Sequence, residues 1–174
     1  MTPSPETPRP CGACDLCCRL LEIRVLDKPA GQPCRNLVSG KGCGIYASRP
    51  SQCASFLCQW TVSPNLDDRW RPDQAKLFLW AQIPGQVIVE VDPDYADAWR
   101  REPYYDTLTS WAGPPAALQV LVRVGQQIFM VFREGDVDMG PQQPGKLMNW
   151  GYNVNDAGAR IPFAYFGDPP TAES

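Results

Sequence analysis

The sequence predicts an α+β fold, a small cysteine-rich module followed by antiparallel hairpins with one or two helices. Three observations carry this expectation. All eight cysteines of the 174-residue chain lie in its first 58 residues. Beyond them, two pairs of β-rich runs flank short turns, Pro84-Gly85 and Gly125-Gln126. A hydrophobic fraction of 44% with six tryptophans is enough for a real core in one domain, or one domain with a small annex, so the fold need not rest on cysteines alone.

Residues 1–10 hold four prolines and are expected to be a disordered tail. Residues 11–60 are the cysteine module. In CGACDLCCRLL, a helix puts Cys14, Cys17 and Cys18 at i, i+3 and i+4 on one face, with Cys11 a turn back. A knuckle with Cys11 and Cys14 in a turn around Gly12 is the other reading. Leu21, Ile23 and Val25 alternate with Glu22 and Arg24 and predict a short half-buried strand. Cys34 and Cys43 flank a hairpin-like loop containing Gly40 and Gly42. Pro50 suits the first turn of a helix, with Ser48 or Arg49 near the cap. Cys53 and Cys58 then differ by about 140° around a regular helix, so they share a site only if the helix ends or bends between them.

Residues 61–75 read as a polar linker, opening a 61–168 α+β remainder packed on the module. KLFLWAQI and QVIVEVD predict a hairpin around Pro84-Gly85. DYADAWRREPYYDTLTSWA predicts helix interrupted near Pro103. LQVLVRV and QIFMVFR predict a second hairpin, with a helix over 116–124 as the competing reading. From 134 onward Gly, Pro, Asn and Asp predict an irregular wrap, and 169–174 a loose C-terminus.

The chemistry is in the sulfur. Cysteines used merely as small hydrophobes scatter through a core, whereas these cluster. Crowded thiolates repel unless a cation holds them, so Cys11, Cys14, Cys17, Cys18, Cys34, Cys43, Cys53 and Cys58 are all candidate metal ligands. A vicinal disulfide strains the backbone, so Cys17 and Cys18 are expected to serve different metal centres or to bridge them. Eight cysteines satisfy two tetrahedral four-sulfur sites. They equally satisfy two four-cysteine iron–sulfur clusters, or one cluster with spare thiols. Spacing alone does not choose between zinc and iron.

Composition narrows the alternatives. The net charge of −3 argues against nucleic acid as a partner. Residues 1–60 hold seven Lys/Arg against four Asp/Glu, and the remainder nine against fifteen, so the sulfur-rich part is the cationic part. Four thiolates around a divalent ion leave a negative site that nearby arginines offset. The apolar runs fall far short of the roughly 20 residues a bilayer needs, and Met1 to Pro10 has no apolar centre, so neither a membrane span nor a secretory leader is expected. In a reducing cytoplasm CxxC spacing reads as metal or redox chemistry before disulfides. The chain contains no histidine, which removes the commonest general base.

The ordered string CGACDLCCR, then Cys34 with Leu37 three residues on, then GCGIYASRPSQCASFLCQW, resembles the YkgJ-type cysteine-cluster family, the CxxCxxCC zinc- or iron-chelating domain. The resemblance covers about residues 11–60 and implies that all eight cysteines are ligands. The chain departs from it at Ala54, where the pattern often carries arginine. Larger flagellin lysine-methylating proteins look similar in this region, but the chain shows no glycine-rich nucleotide loop after a strand, so methyl transfer is not expected.

The expectation is a soluble cytoplasmic protein chelating zinc or iron, or one or two iron–sulfur clusters, with a protein partner for delivery as an open role. An iron–sulfur electron-transfer or maturation factor is the alternative. Thiol oxidoreduction through Cys11 and Cys14 ranks below both, and the chain reads more as a binding protein than an enzyme. Arg19, Arg35 and Arg49 are candidates for charge compensation at the site, or ordinary surface arginines. Tyr46, Phe56 and Trp60 read as local core that also shields the site. Asp15 reads as a solvated surface residue. Trp80, Trp99, Tyr104, Tyr105, Trp111 and Trp150 read as core or interface rather than a pocket. Asp92, Asp94 and Asp97 read as a solvated helix start.

Overall fold

The computed structural model describes residues 8–168. The chain is α+β, with short helices and antiparallel strands. It divides into two compact units. The first comprises the residues up to Trp80 together with Glu90–Ala98; the second comprises Ala81–Val89 and the residues from Trp99 onward. Among the described residues no helix is long and apolar enough to cross a membrane.

The first unit begins earlier than the predicted tail allows. Residues 1–7 lie outside the described residues, but Arg9 is held: its N–H donates to Thr61 O at 2.7 Å, its guanidinium donates to Ser63 O, and it lies 4.6 Å over the Trp60 ring. Helix α1 (Leu16–Leu20) carries Cys17 and Cys18 only. Cys11 and Cys14 occupy a turn closed by Cys14 N–H to Cys11 O at 3.1 Å, which is the knuckle reading. The strand expected at Leu21–Val25 does not form. A single antiparallel bridge joins Ile23 to Lys28, and Arg24–Leu26 is a 3-10 turn. The alternation misleads there because Val25 is exposed, not buried.

Strands β1 (Leu37–Val38) and β2 (Gly42–Cys43) make the expected hairpin between Cys34 and Cys43. Helix α2 (Ser51–Ala54) starts after Pro50, which is its cap position rather than its first turn. It stops before Cys58, which caps α3 (Gln59–Val62). The 60/61 boundary predicted for the module therefore falls inside a helix. The segment 61–75 is no linker either, because it contains α4 (Pro72–Ala75) and buries Leu66, Trp70 and Ala75. These apolar residues sit at intervals too irregular to show in a polar, proline-containing stretch.

Strands β3 (Leu77–Trp80) and β4 (Gln86–Val91) form as predicted, and the division between units falls within β4. In the first unit Asp92 N–H donates to Lys76 O at 2.9 Å. Asp92 is not solvated. It is 2% exposed, accepts from Asp94 N–H at 3.2 Å and pairs with Arg19 at 2.5 Å.

In the second unit α5 (Tyr104–Ala112) follows Pro103, as the interrupted helix predicts. Strands β5 (Gln119–Val124), β6 (Gln127–Phe132) and β7 (Gly135–Pro141) form a consecutive antiparallel meander. The helix reading of 116–124 fails at Ala117, whose φ of 47° is left-handed. The irregular wrap expected from 134 is also overturned. Besides β7, strands β8 (Met148–Val154) and β9 (Arg160–Phe166) pair in full register from Met148↔Phe166 to Val154↔Arg160. The Gly and Asn residues concentrate in the turns: Asn155 Oδ1 accepts from the N–H groups of Ala157 and Ala159 at 3.0 and 2.8 Å. Leu121, Ile128, Met130 and Phe132 pack with Met139 and Ala164. Trp99 is buried between Tyr105 and Phe129, whose ring centroids lie 5.8 and 5.3 Å away. Residues 169–174, expected to be loose, lie outside the described residues.

Candidate metal centre

All eight cysteines line one cavity of about 670 Å³ in the first unit. Every one is a free thiol; none is joined in a disulfide. Four separate stretches deliver them: the 11–18 segment, the turn before β1 with the end of β2, helix α2, and the cap of α3.

Local backbone bonds explain the delivery. Arg9 N–H to Thr61 O runs the approach to Cys11 along α3, beside Cys58. Cys34 N–H donates to Cys18 O at 3.1 Å and so fixes Cys34 against α1. Leu37, bonded to Cys34 O through its N–H at 3.0 Å, faces Cys43 in the β1–β2 register. Gln52 ties α2 to the 22–25 turn, donating to Glu22 O at 3.2 Å and accepting from Val25 N–H at 3.5 Å. Gly42, at φ 79°, makes the closest approach. A Cβ there would stand 2.6 Å from Gly12 O, so only glycine lets β2 lie against the Cys11–Cys14 turn.

The thiols are electrostatically unequal. A hydrogen bond from Cys17 to Cys18 lowers Cys18 and raises Cys17, with burial and the nearby sulfurs raising Cys17 further. Burial pushes Cys14 up to about 11, assisted by Asp73, Cys58 and Cys11 against a hydrogen bond from the Leu16 backbone. Burial also raises Cys53 and Cys58. Neutral thiols are the form such a crowded, partly desolvated group prefers without a cation.

Cations do stand near. Lys28 is 6% exposed, and its ammonium donates to the carbonyls of Arg19, Leu21 and Pro29 at 3.3, 2.5 and 3.0 Å. Burial lowers it, while Cys34, Cys18, Cys17 and Cys53 work in the opposite direction. Arg49 lies 4.1 Å over the Tyr46 ring and helps lower Cys18, after the Cys17 hydrogen bond and Lys28. Arg19 and Arg35 are committed elsewhere, to Asp92 and, at 2.6 Å, to Leu26 O. Lys28 is the residue that sequence reasoning missed. A lone lysine before proline carries no signal, and only the fold shows it turned inward.

Of the aromatic neighbours expected as local core, Trp60 is buried and Phe56 half-buried, but Tyr46 is exposed. The Tyr46 hydroxyl donates to Cys11 Sγ at 3.8 Å. Phe56 packs edge-on to Phe78 at 5.7 Å and lines the cavity with Trp80. Trp60 is buried and its indole N–H finds no acceptor among the described residues. Asp15 precedes α1 without a capping bond from its side chain.

Among the described residues no three cysteine, aspartate or glutamate side chains stand as they would around one metal ion. The thiols share a cavity without being gathered to a coordination shell. The donor set nevertheless fits a thiophilic metal: eight reduced sulfurs, no competing imidazole, two inward cations, and a buried N–H of the kind that metal-bound thiolates accept. No family model matches the chain, and no curated protein and no solved structure shows significant similarity to it.

Proposed function

We propose that the chain is a metal-binding protein of the YkgJ-type cysteine-cluster kind, holding zinc or iron, or iron–sulfur clusters, through eight cysteine thiolates. The observation that supports this is the convergence of all eight free thiols on one cavity from four stretches of sequence. A core has no use for that much unpaired sulfur in one place, and burial of neutral thiols around an open volume gains little packing. Metal capture draws the sulfurs together and releases their protons, so ligand assembly is coupled to metal uptake. Reduced thiols persist in a cytoplasm, and we place the protein there. Lys28 and Arg49 offset the charge left by the thiolates, Phe56 and Trp80 line the cavity, and Trp60 lines the adjoining recess, where they restrict water.

Elemental analysis and a visible spectrum of protein prepared without oxygen test the proposal. Stoichiometric zinc in a colourless protein, or iron with broad visible absorbance, supports it and distinguishes the two metals. Protein that stays metal-free after incubation with zinc and with ferrous iron plus sulfide contradicts it.

A further inference from the structure

We propose that the eight thiols form two separate four-sulfur centres, Cys11, Cys14, Cys17 and Cys58 at one and Cys18, Cys34, Cys43 and Cys53 at the other, linked through the Cys17–Cys18 peptide. This partition rests on the metal-binding reading and specifies its sites.

Geometry divides the set. A compact recess that adjoins the main cavity and shares part of its lining is lined by Cys11, Cys14, Cys17 and Cys58, and by none of the other four cysteines. Trp60 and Phe78 close it. The backbone agrees, because Cys11 and Cys14 share one turn and the Arg9–Thr61 bond brings the segment before Cys11 alongside α3, which Cys58 caps. Three of the other four are connected by a different set of bonds, Cys34 N–H to Cys18 O, Leu37 N–H to Cys34 O, and the Leu37↔Cys43 pairing, and Cys53 on α2 is the remaining thiol of the main cavity that the recess does not include. Cys17 and Cys18 are consecutive on α1 and so point about 100° apart. One helix therefore feeds two centres.

The centres also differ in charge. Lys28 and Arg49 serve the second, whereas the first has Arg9 near Cys58 and Asp73 near Cys14. Each centre takes a soft cationic group with four sulfur ligands, and the indole N–H of Trp60 supplies a donor for the sulfur of the first.

The test loads reduced, metal-free, full-length protein with cadmium-113 and reads scalar couplings from each cadmium to cysteine β-protons. Two resonances are expected, one coupled to Cys11, Cys14, Cys17 and Cys58 and the other to Cys18, Cys34, Cys43 and Cys53. Cys17 and Cys18 coupled to one cadmium, or any sulfur coupled to both, overturns the partition while leaving metal binding intact. No cadmium uptake defeats the metal-binding reading itself. The paired variants Cys14→Ser/Cys58→Ser and Cys34→Ser/Cys53→Ser are each expected to lose one of two cadmium equivalents. Retention of both equivalents, or loss of both by a variant whose circular dichroism matches the parent, contradicts the partition.

Discussion

At Lys28 an ammonium group is held by three backbone carbonyls beneath a cavity of thiols. Replacing it with methionine leaves the carbonyls of Arg19, Leu21 and Pro29 without that donor. The expected loss is about 1–3 kcal/mol in chemical denaturation of the metal-free protein. Metal affinity is expected to fall as well, read by competition with a chromophoric chelator, because a thiolate centre loses its nearest buried cation. Unchanged affinity would show that Lys28 only caps α1. The thiols themselves should differ in reactivity. Cys18, lowered by its hydrogen bond from Cys17, is expected to alkylate first in metal-free protein near neutral pH. Cys14, raised to about 11 chiefly by burial, should be among the last. Peptide mapping of the alkylated sites checks that order. The same shifts fix a pH dependence. Cys14, Cys17, Cys53 and Cys58 hold their protons in the native state above the ordinary thiol value of 9.0, where the unfolded chain releases them. Their contribution is complete below 9.0 and is lost as pH rises above it, for Cys14 through about 11. Cys18 works oppositely: its contribution is complete above 9.0 and is lost as pH falls through about 7. The two windows do not overlap, so the metal-free denaturation midpoint should rise as pH goes from about 7 to 9 and fall above 9. Loaded protein should be flatter there, its thiolates being already deprotonated.

The elements of the first unit are too short to be stable alone; α1 has five residues, α2 and α3 four each. They persist through contacts such as the approach of β2 to the Cys11–Cys14 turn. Gly42→Ala places a Cβ 2.6 Å from Gly12 O at a left-handed φ. The expected cost is about 1–3 kcal/mol, with metal affinity reduced in parallel, measured by denaturation and by chelator competition on one preparation. Gly40→Ala is the control for φ alone: it is also left-handed, but nothing lies within 4 Å of its Cβ position. The sequence was legible wherever one pattern served one element. Cys34 and Cys43 announced the β1–β2 hairpin, and the alternation around Gly125-Gln126 announced β5 and β6. It misled where burial and pattern part company. Val25 sits in an apparent strand but is exposed, and Trp70 sits in an apparent linker but is buried. Strands β8 and β9 were hidden because Gly151, Asn149 and Asn153 dilute them with residues that disfavour strands. They pair nonetheless because Met148 and Phe166 pack on the Leu121–Phe132 cluster.

On the scale of the whole molecule, two compact units divide the work. The second has its own packed interior around Met130 and Trp99 and contains no cysteine. The first has a cavity of about 670 Å³ lined by thiols. Chelation should therefore act unevenly. Hydrogen exchange on the intact chain is expected to quicken in residues 11–62 when metal is removed, while the amides of β5, β6 and β7 keep their protection. Uniform quickening would mean that metal holds the entire chain. The gathering of the eight cysteines in one place was readable from their spacing, because they are dense in one stretch of chain. The proposed division between Cys17 and Cys18 was readable only as a pair of alternatives, since it depends on which distant segment each one meets. X-ray absorption at the edge of the metal retained by anaerobically prepared protein tests the central claim most directly. The account predicts a first shell of sulfur alone, four per metal from the protein if it is zinc, at about 2.3 Å. A shell dominated by oxygen or nitrogen would contradict it.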